Sequence, residues 1–92
     1  MTQRSNLELE RHILSDTTRL REILVEILRL PAHSVIDGLT LADTENWDSL
    51  AHMELIAAIE QEFAVELSLD DIVGMVSYAK IRAVLAGKGL AV

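Results

Sequence analysis

The sequence predicts an all-α fold: a four-helix bundle with three longer helices, one short helix and a long loop between the first two. Half of the 92 residues are hydrophobic, which is enough for one core and too many for a disordered chain. Only 3% are aromatic, and the abundant Leu, Ala, Glu and Ile favour helices over strands. Apolar residues also recur at helical spacing in separate segments.

The first predicted helix covers residues 16–29. Either Ser15 or Asp16 can cap its start, and Pro31 is expected to end it, because a residue before proline avoids helical dihedrals. Its apolar stripe consists of Leu20, Ile23, Leu24, Ile27 and Leu28.

A long connection, residues 31–47, follows the first helix. Loops of this length are uncommon inside compact domains and are often functional. The apolar residues expected to hold the loop to the core are Val35, Ile36, Leu39, Leu41 and Trp47.

The second predicted helix covers residues 49–63 and has two apolar faces. Its core side is predicted to consist of Leu55, Ile56, Ile59 and Phe63. The opposite side carries Leu50, Met53 and Ala57, with Glu54 beside them and Glu60 at the edge. A helix buried on one face needs no apolar residues on the other, so this docking strip is predicted to bind partners.

Two further helices complete the predicted bundle. Ser68 and Asp71 have capping-box spacing and begin a short helix over residues 69–74. Ser77 can cap a last helix over residues 78–86. The side chains predicted to face inward from that helix are Ile81, Val84 and Leu85.

The chain is predicted to be one domain, residues 15–92, after an N-terminal extension, residues 1–14, with a partial helical pattern. No apolar run has the length of a membrane span, and the start lacks a signal-peptide core, so a cytoplasmic protein is expected. Without cysteine the chain can form no disulfide and no thiolate metal site. Its histidines are also too scattered to predict a metal site.

The net charge of −7 is concentrated in the middle of the sequence. Between residues 30 and 79 there is no Lys or Arg, whereas Asp and Glu are frequent. Such a segment repels nucleic-acid phosphates and anionic lipids and attracts basic protein surfaces. The charge therefore argues against nucleic acid or membrane partners, and against a DNA-binding helix-turn-helix module.

Ser49 lies where the long loop meets the second helix. An isolated Asp-Ser-Leu is weak evidence, since a serine at a helix start often has only a capping role. Here, Trp47-Asp48-Ser49-Leu50 precedes an acidic, two-faced helix, and this combination resembles the acyl carrier proteins and related peptidyl carriers over residues 16–86. The resemblance implies an acyl-carrier-type bundle in which Ser49 bears a covalent 4′-phosphopantetheine arm derived from coenzyme A.

The same resemblance implies a free-standing, monomeric carrier of an acyl or aminoacyl thioester that is not itself an enzyme. Its expected partners are a phosphopantetheinyl transferase and ligases, synthases or transferases with basic docking surfaces. The residues expected to recognise them are Asp48, Leu50, Met53, Glu54, Ala57 and Glu60. Trp47 departs from many fatty-acid carriers, which favours a specialised pathway such as polyketide or other secondary-metabolite synthesis over general fatty acid biosynthesis.

Two alternatives remain at this point. An unmodified acidic helical adaptor would bind a basic protein surface and would leave Ser49 without an arm. A small serine hydrolase would pair Ser49 with His52, three residues on, and would turn over an activated ester. The sequence offers that pair neither a third orienting residue nor a Gly-x-Ser-x-Gly motif.

Overall fold

A computed structural model describes residues 15–92, and in this part of the chain it is a bundle of four α-helices without a β-strand. The helices are α1 (Asp16–Leu28), α2 (Ser49–Phe63), α3 (Leu69–Gly74) and α4 (Tyr78–Gly87), and a 3-10 turn (Ala32–Ser34) lies in the loop. The predicted all-α class, with three longer helices and one short one, is confirmed. The predicted extension, residues 1–14, lies outside the described residues.

The ends of α1 are set by local polar groups. Ser15 Oγ accepts a hydrogen bond from a backbone N–H of the first turn. At the other end Arg29 adopts a left-handed conformation, with φ of 55°, and the Leu30 N–H donates to the Val25 carbonyl oxygen at 3.1 Å. This Schellman-type closure ends the helix before the proline does, which corrects the predicted cause of termination.

The core lies between the three longer helices. The predicted inner face of α2 is confirmed, because all four of its residues are buried. The other buried apolar side chains are Leu20, Leu24, Leu28, Val35, Trp47, Ala51, Leu67, Met75, Tyr78, Ile81 and Leu85.

The long loop contributes to this core less than the sequence predicted. Val35 is fully buried, whereas Leu39 and Leu41 are half-buried and Ile36 is 57% exposed. The prediction for Ile36 is wrong because the chain turns there, with the Leu39 N–H donating to the Ile36 carbonyl at 2.9 Å. Val35 takes the inward position and its neighbour is turned outward.

Arg19 fastens the start of α1 to the end of α2. Its Nε donates to Glu62 Oε2 at 2.9 Å, and its Nη2 donates to the Glu62 carbonyl at 2.7 Å. The guanidinium also lies 4.9 Å from the centroid of the Phe63 ring. A cation in this position offsets the negative end of the α2 dipole and satisfies one of its terminal carbonyls.

Backbone hydrogen bonds fix the loop to the start of α4. The Leu41 N–H donates to the Val76 carbonyl at 2.9 Å, and the Tyr78 N–H donates to the Leu39 carbonyl at 3.0 Å. The loop between α1 and α2 is therefore held in two ways: buried Val35 packs in the core, and these hydrogen bonds join the loop to the start of α4. Within residues 15–92, no helix has the combination of length and apolarity needed to cross a membrane.

Asp71 is predicted to make the stability of the bundle sensitive to acid. The capping box is confirmed: Asp71 Oδ2 accepts the Ser68 N–H at 3.0 Å, and Lys88 Nζ lies 3.2 Å from the same oxygen. The Ser68 backbone N–H, followed by Lys88, lowers the pKa of Asp71 below its ordinary value of 3.8. This stabilisation is complete above that value and is lost as the pH falls through the lower value of the folded state.

The variant Asp71→Asn should therefore have a lower free energy of unfolding than the wild type at neutral pH. The difference should shrink as the pH falls below the ordinary carboxyl value. Urea unfolding at a series of pH values measures it, with Asp70→Asn as the control for net charge. A difference that stays constant down to the acid limit would contradict the assignment.

Candidate functional site

Ser49 is the first residue of α2, and its side chain is exposed. The capping role belongs to the preceding residue, because Asp48 Oδ1 accepts the Ala51 N–H at 2.8 Å. No hydrogen bond joins the Ser49 hydroxyl to any residue of 15–92. The cap of the helix therefore does not depend on the Ser49 side chain, and the Ser49 hydroxyl is accessible to solvent.

The helix backbone at Ser49 favours an anion, whereas the carboxylate of the neighbouring Asp48 opposes one. The backbone N–H groups of Ser49 and Leu50 donate to no described residue, as expected in the first turn of a helix. They lie at the positive end of the α2 dipole, next to the Ser49 hydroxyl. A phosphate ester on that oxygen would have two backbone donors within its immediate neighbourhood. The residues present therefore fit a phosphate-linked group.

The loop in front of Ser49 is firmly anchored. Trp47 is 2% exposed, as predicted, and its backbone N–H donates to the Thr44 carbonyl at 3.0 Å. Asn46 Nδ2 donates to the Leu28 carbonyl at 3.1 Å, which ties the loop to the end of α1. Ser49 therefore combines an exposed hydroxyl with a well-supported backbone.

His52 is engaged by two partners on the inner side of α2. The Trp47 indole N–H donates to His52 Nδ1 at 3.0 Å, and His52 Nε2 lies 2.8 Å from the Ile72 carbonyl oxygen. Both ring nitrogens are occupied, so neither is available to accept a proton from Ser49. This arrangement removes the general base that the serine hydrolase hypothesis requires.

Four residues of the docking strip are exposed on α2. Leu50 is 70% exposed and Met53 is 55% exposed, and Glu54 and Ala57 are also exposed. Glu60 differs, because it is half-buried and its Oε2 accepts the Leu67 N–H at 3.0 Å. This oxygen of Glu60 supports the segment that follows α2, and the part of Glu60 in partner recognition stays a prediction.

The helix α3 adds exposed apolar side chains that the sequence analysis did not single out. Leu69 and Val73 are both more than half exposed, and they are four residues apart on one face of the helix. The available signal was this spacing in a helix of only six residues, which cannot bury every apolar side chain that it carries.

A groove of ≈ 250 Å³ lies beside the start of α2. Its lining residues are Ile27, Arg29, Glu45, Asn46, Asp48, Leu50, Ala51 and Glu54. Arg29 is the only cation among them, and the acidic lining residues are Glu45, Asp48 and Glu54. A polar group attached at the helix start has room here, with one cation available to an anionic part of it.

Comparison with known protein families gives a match over residues 18–86, to the family described as the phosphopantetheine attachment site. The matched range covers about three quarters of the chain and includes Ser49 and nearly all of the four helices. It agrees with the resemblance to acyl carrier proteins that the sequence around Ser49 indicated.

Proposed function

Because this chain belongs to the phosphopantetheine-attachment family, we propose that it carries an acyl or aminoacyl thioester on an arm attached to Ser49. Membership of the family implies a covalently attached 4′-phosphopantetheine. The observation that carries the choice of residue is the exposed Ser49 hydroxyl, which makes no hydrogen bond within residues 15–92 because Asp48 caps the helix.

Ser49 is chemically passive in this proposal. A phosphopantetheinyl transferase activates its hydroxyl, whose oxygen forms a phosphodiester as the pyrophosphate bond of coenzyme A breaks. The nucleotide bisphosphate leaves, and the hydroxyl proton passes to the transferase or to solvent. The free N–H groups of Ser49 and Leu50 then lie beside the charged ester. Since the chain has no cysteine, the thiol that holds the cargo comes from the arm.

The docking strip on α2 is proposed to receive the enzymes that load and unload the arm. Its apolar part consists of Leu50, Met53 and Ala57, all exposed within the turns of α2 that follow Ser49. Asp48 and Glu54 add negative charge at the same end of the helix. Basic surfaces on the transferase and on acyl or aminoacyl ligases and synthases are complementary to this combination.

Carrier domains of this family are generally not catalysts, and we propose the same for this chain. The occupied ring nitrogens of His52 support this view, since they leave Ser49 without the base of a hydrolase. The acidic adaptor is the remaining alternative, and it differs in one respect: it predicts that Ser49 stays unmodified.

Intact-mass analysis after incubation with coenzyme A and a promiscuous phosphopantetheinyl transferase tests the proposal. The wild type should gain one phosphopantetheinyl group, and Ser49→Ala should gain none. The control variant Ser68→Ala, which removes an exposed serine that caps α3, should still be loaded. Failure of the folded wild type to gain mass, while a known carrier is loaded in parallel, would favour the adaptor. Loading of Ser49→Ala would place the arm elsewhere.

A further inference from the structure

The imidazole of His52 links three parts of the bundle through its two nitrogens. An indole N–H can only donate, so His52 Nδ1 must accept from Trp47 at 3.0 Å. A carbonyl oxygen can only accept, so Nε2 must carry the proton that is donated to Ile72 at 2.8 Å. The partners thus fix His52 as the neutral Nε2–H tautomer. These two hydrogen bonds connect the loop before Ser49, the first turns of α2, and α3.

The second of these bonds matters because α3 itself contributes no buried side chain, and only the flanking Leu67 and Met75 enter the core. The helix has six residues and none of them is buried, although Ile72 packs partly against the core. Its capping box joins Ser68 and Asp71 to each other, and so fixes the start of the helix but not its place in the bundle. Among residues 15–92, two polar contacts fasten α3 to other helices: Asp71 with Lys88 at the end of α4, and the Ile72 carbonyl with His52 on α2.

The contact from His52 is made close to the proposed attachment site. His52 lies three residues after Ser49, just under one helical turn, so its imidazole holds α3 against the end of α2 that carries the proposed attachment site. The helix held in this way carries the exposed Leu69 and Val73, while the start of α2 carries the exposed Leu50. We therefore expect an enzyme that reaches Ser49 to contact both helices.

We propose that His52 is a positioning residue for the reaction at Ser49, because its Nε2–H holds α3 in place for the incoming transferase. The inference rests on the proposed function and adds a residue that does not touch the reacting atoms. Loss of this one hydrogen bond should leave the chemistry at the Ser49 hydroxyl unchanged. It should weaken binding of the transferase, since part of the binding energy is then used to order α3.

Two substitutions test the two hydrogen bonds of His52 separately. The amide of asparagine reaches the position of the imidazole Nδ1, so His52→Asn can still accept from Trp47 and loses the bond to Ile72. The amide of glutamine reaches the position of Nε2, so His52→Gln can still donate to Ile72 and loses the acceptor for Trp47. Each variant removes one bond, and they differ in which bond they remove.

Loading kinetics with coenzyme A and the transferase should distinguish the variants. With His52→Asn, we expect the KM for the carrier to rise about tenfold, as for the loss of one well-made hydrogen bond, with kcat nearly unchanged. His52→Gln should restore a KM close to that of the wild type. Amide hydrogen exchange on the unmodified proteins should show faster exchange in α3 for His52→Asn than for His52→Gln.

Equal KM values for the two variants, a fall in kcat alone, or equal exchange in α3 would overturn the proposal. A wild type that accepts no arm would overturn the proposed function and, with it, any role of His52 in loading. The exchange experiment is independent of loading, so the two failures can be told apart. The free energy of unfolding of each variant, measured in urea, shows whether a change in KM follows global stability instead.

Discussion

Replacement of Trp47 with alanine is expected to destabilise the bundle by about 3–5 kcal/mol, the usual cost of removing a large aromatic side chain from a core. Trp47 is 2% exposed and is the largest side chain among the buried residues. A domain of this size has a total stability of about 5–15 kcal/mol, so this one substitution removes a substantial part of it. Urea unfolding followed by circular dichroism measures the change, because tryptophan fluorescence disappears with the residue.

The variant Trp47→Phe is the matched control, since it retains an aromatic ring and removes the indole N–H that His52 accepts. Loss of this bond and a smaller loss of volume should cost about 1–3 kcal/mol. If Trp47→Phe were as destabilising as Trp47→Ala, the hydrogen bond to His52 would account for most of the effect. The predicted dominance of side-chain volume would then be wrong.

The helices could be predicted from the sequence because their signals are local. The start of α3 depends on Ser68 and Asp71, three residues apart, and the structure places the capping box there. The inner face of α2 follows from helical periodicity alone. The way in which α1 ends was harder to predict, because Arg29 adopts a left-handed conformation that is usually reserved for glycine or asparagine. Pro31 was the more obvious reason for the helix to end, but the helix ends before it.

Polar contacts between distant segments could not be predicted in this way. His52 and Ile72 are twenty residues apart, and the acceptor is a backbone carbonyl that every residue possesses. Glu60 had the charge and spacing of a surface residue, yet its carboxylate accepts the Leu67 N–H. Helical periodicity predicts which side chains are buried. It does not predict which carboxylate accepts a hydrogen bond from a backbone N–H of another segment.

The candidate site needed both kinds of information. The resemblance around Trp47-Asp48-Ser49-Leu50 indicated which serine to consider. It could not decide whether Asp48 or Ser49 caps α2, because both residue types are good caps and they are adjacent. The structure assigns the cap to Asp48, which leaves the Ser49 hydroxyl without that role.

Reversal of the charge at Glu54 is expected to lower kcat/KM for loading by about tenfold at low salt, because complementary charges chiefly raise the association rate. Glu54 is exposed on α2 beside Leu50 and Met53, so Glu54→Lys would place a cation within the docking strip. Lysine is a good helix former, and the bundle should therefore remain as stable as the wild type. Loading rates at several salt concentrations, together with urea unfolding, measure both expectations.

The loss should diminish as salt is added, since exposed charges farther apart than the Debye length, about 10 Å at 0.1 M, are largely screened. Glu66→Lys supplies the control, because Glu66 is exposed outside α2 and the substitution changes net charge by the same amount. Equal losses in both variants would attribute the effect to net charge instead of the docking strip. A loss that persists at high salt would point to a direct contact in the complex. Unchanged kinetics of Glu54→Lys at low salt would show that Glu54 has no role in partner binding. Docking would then depend on the apolar side chains beside it.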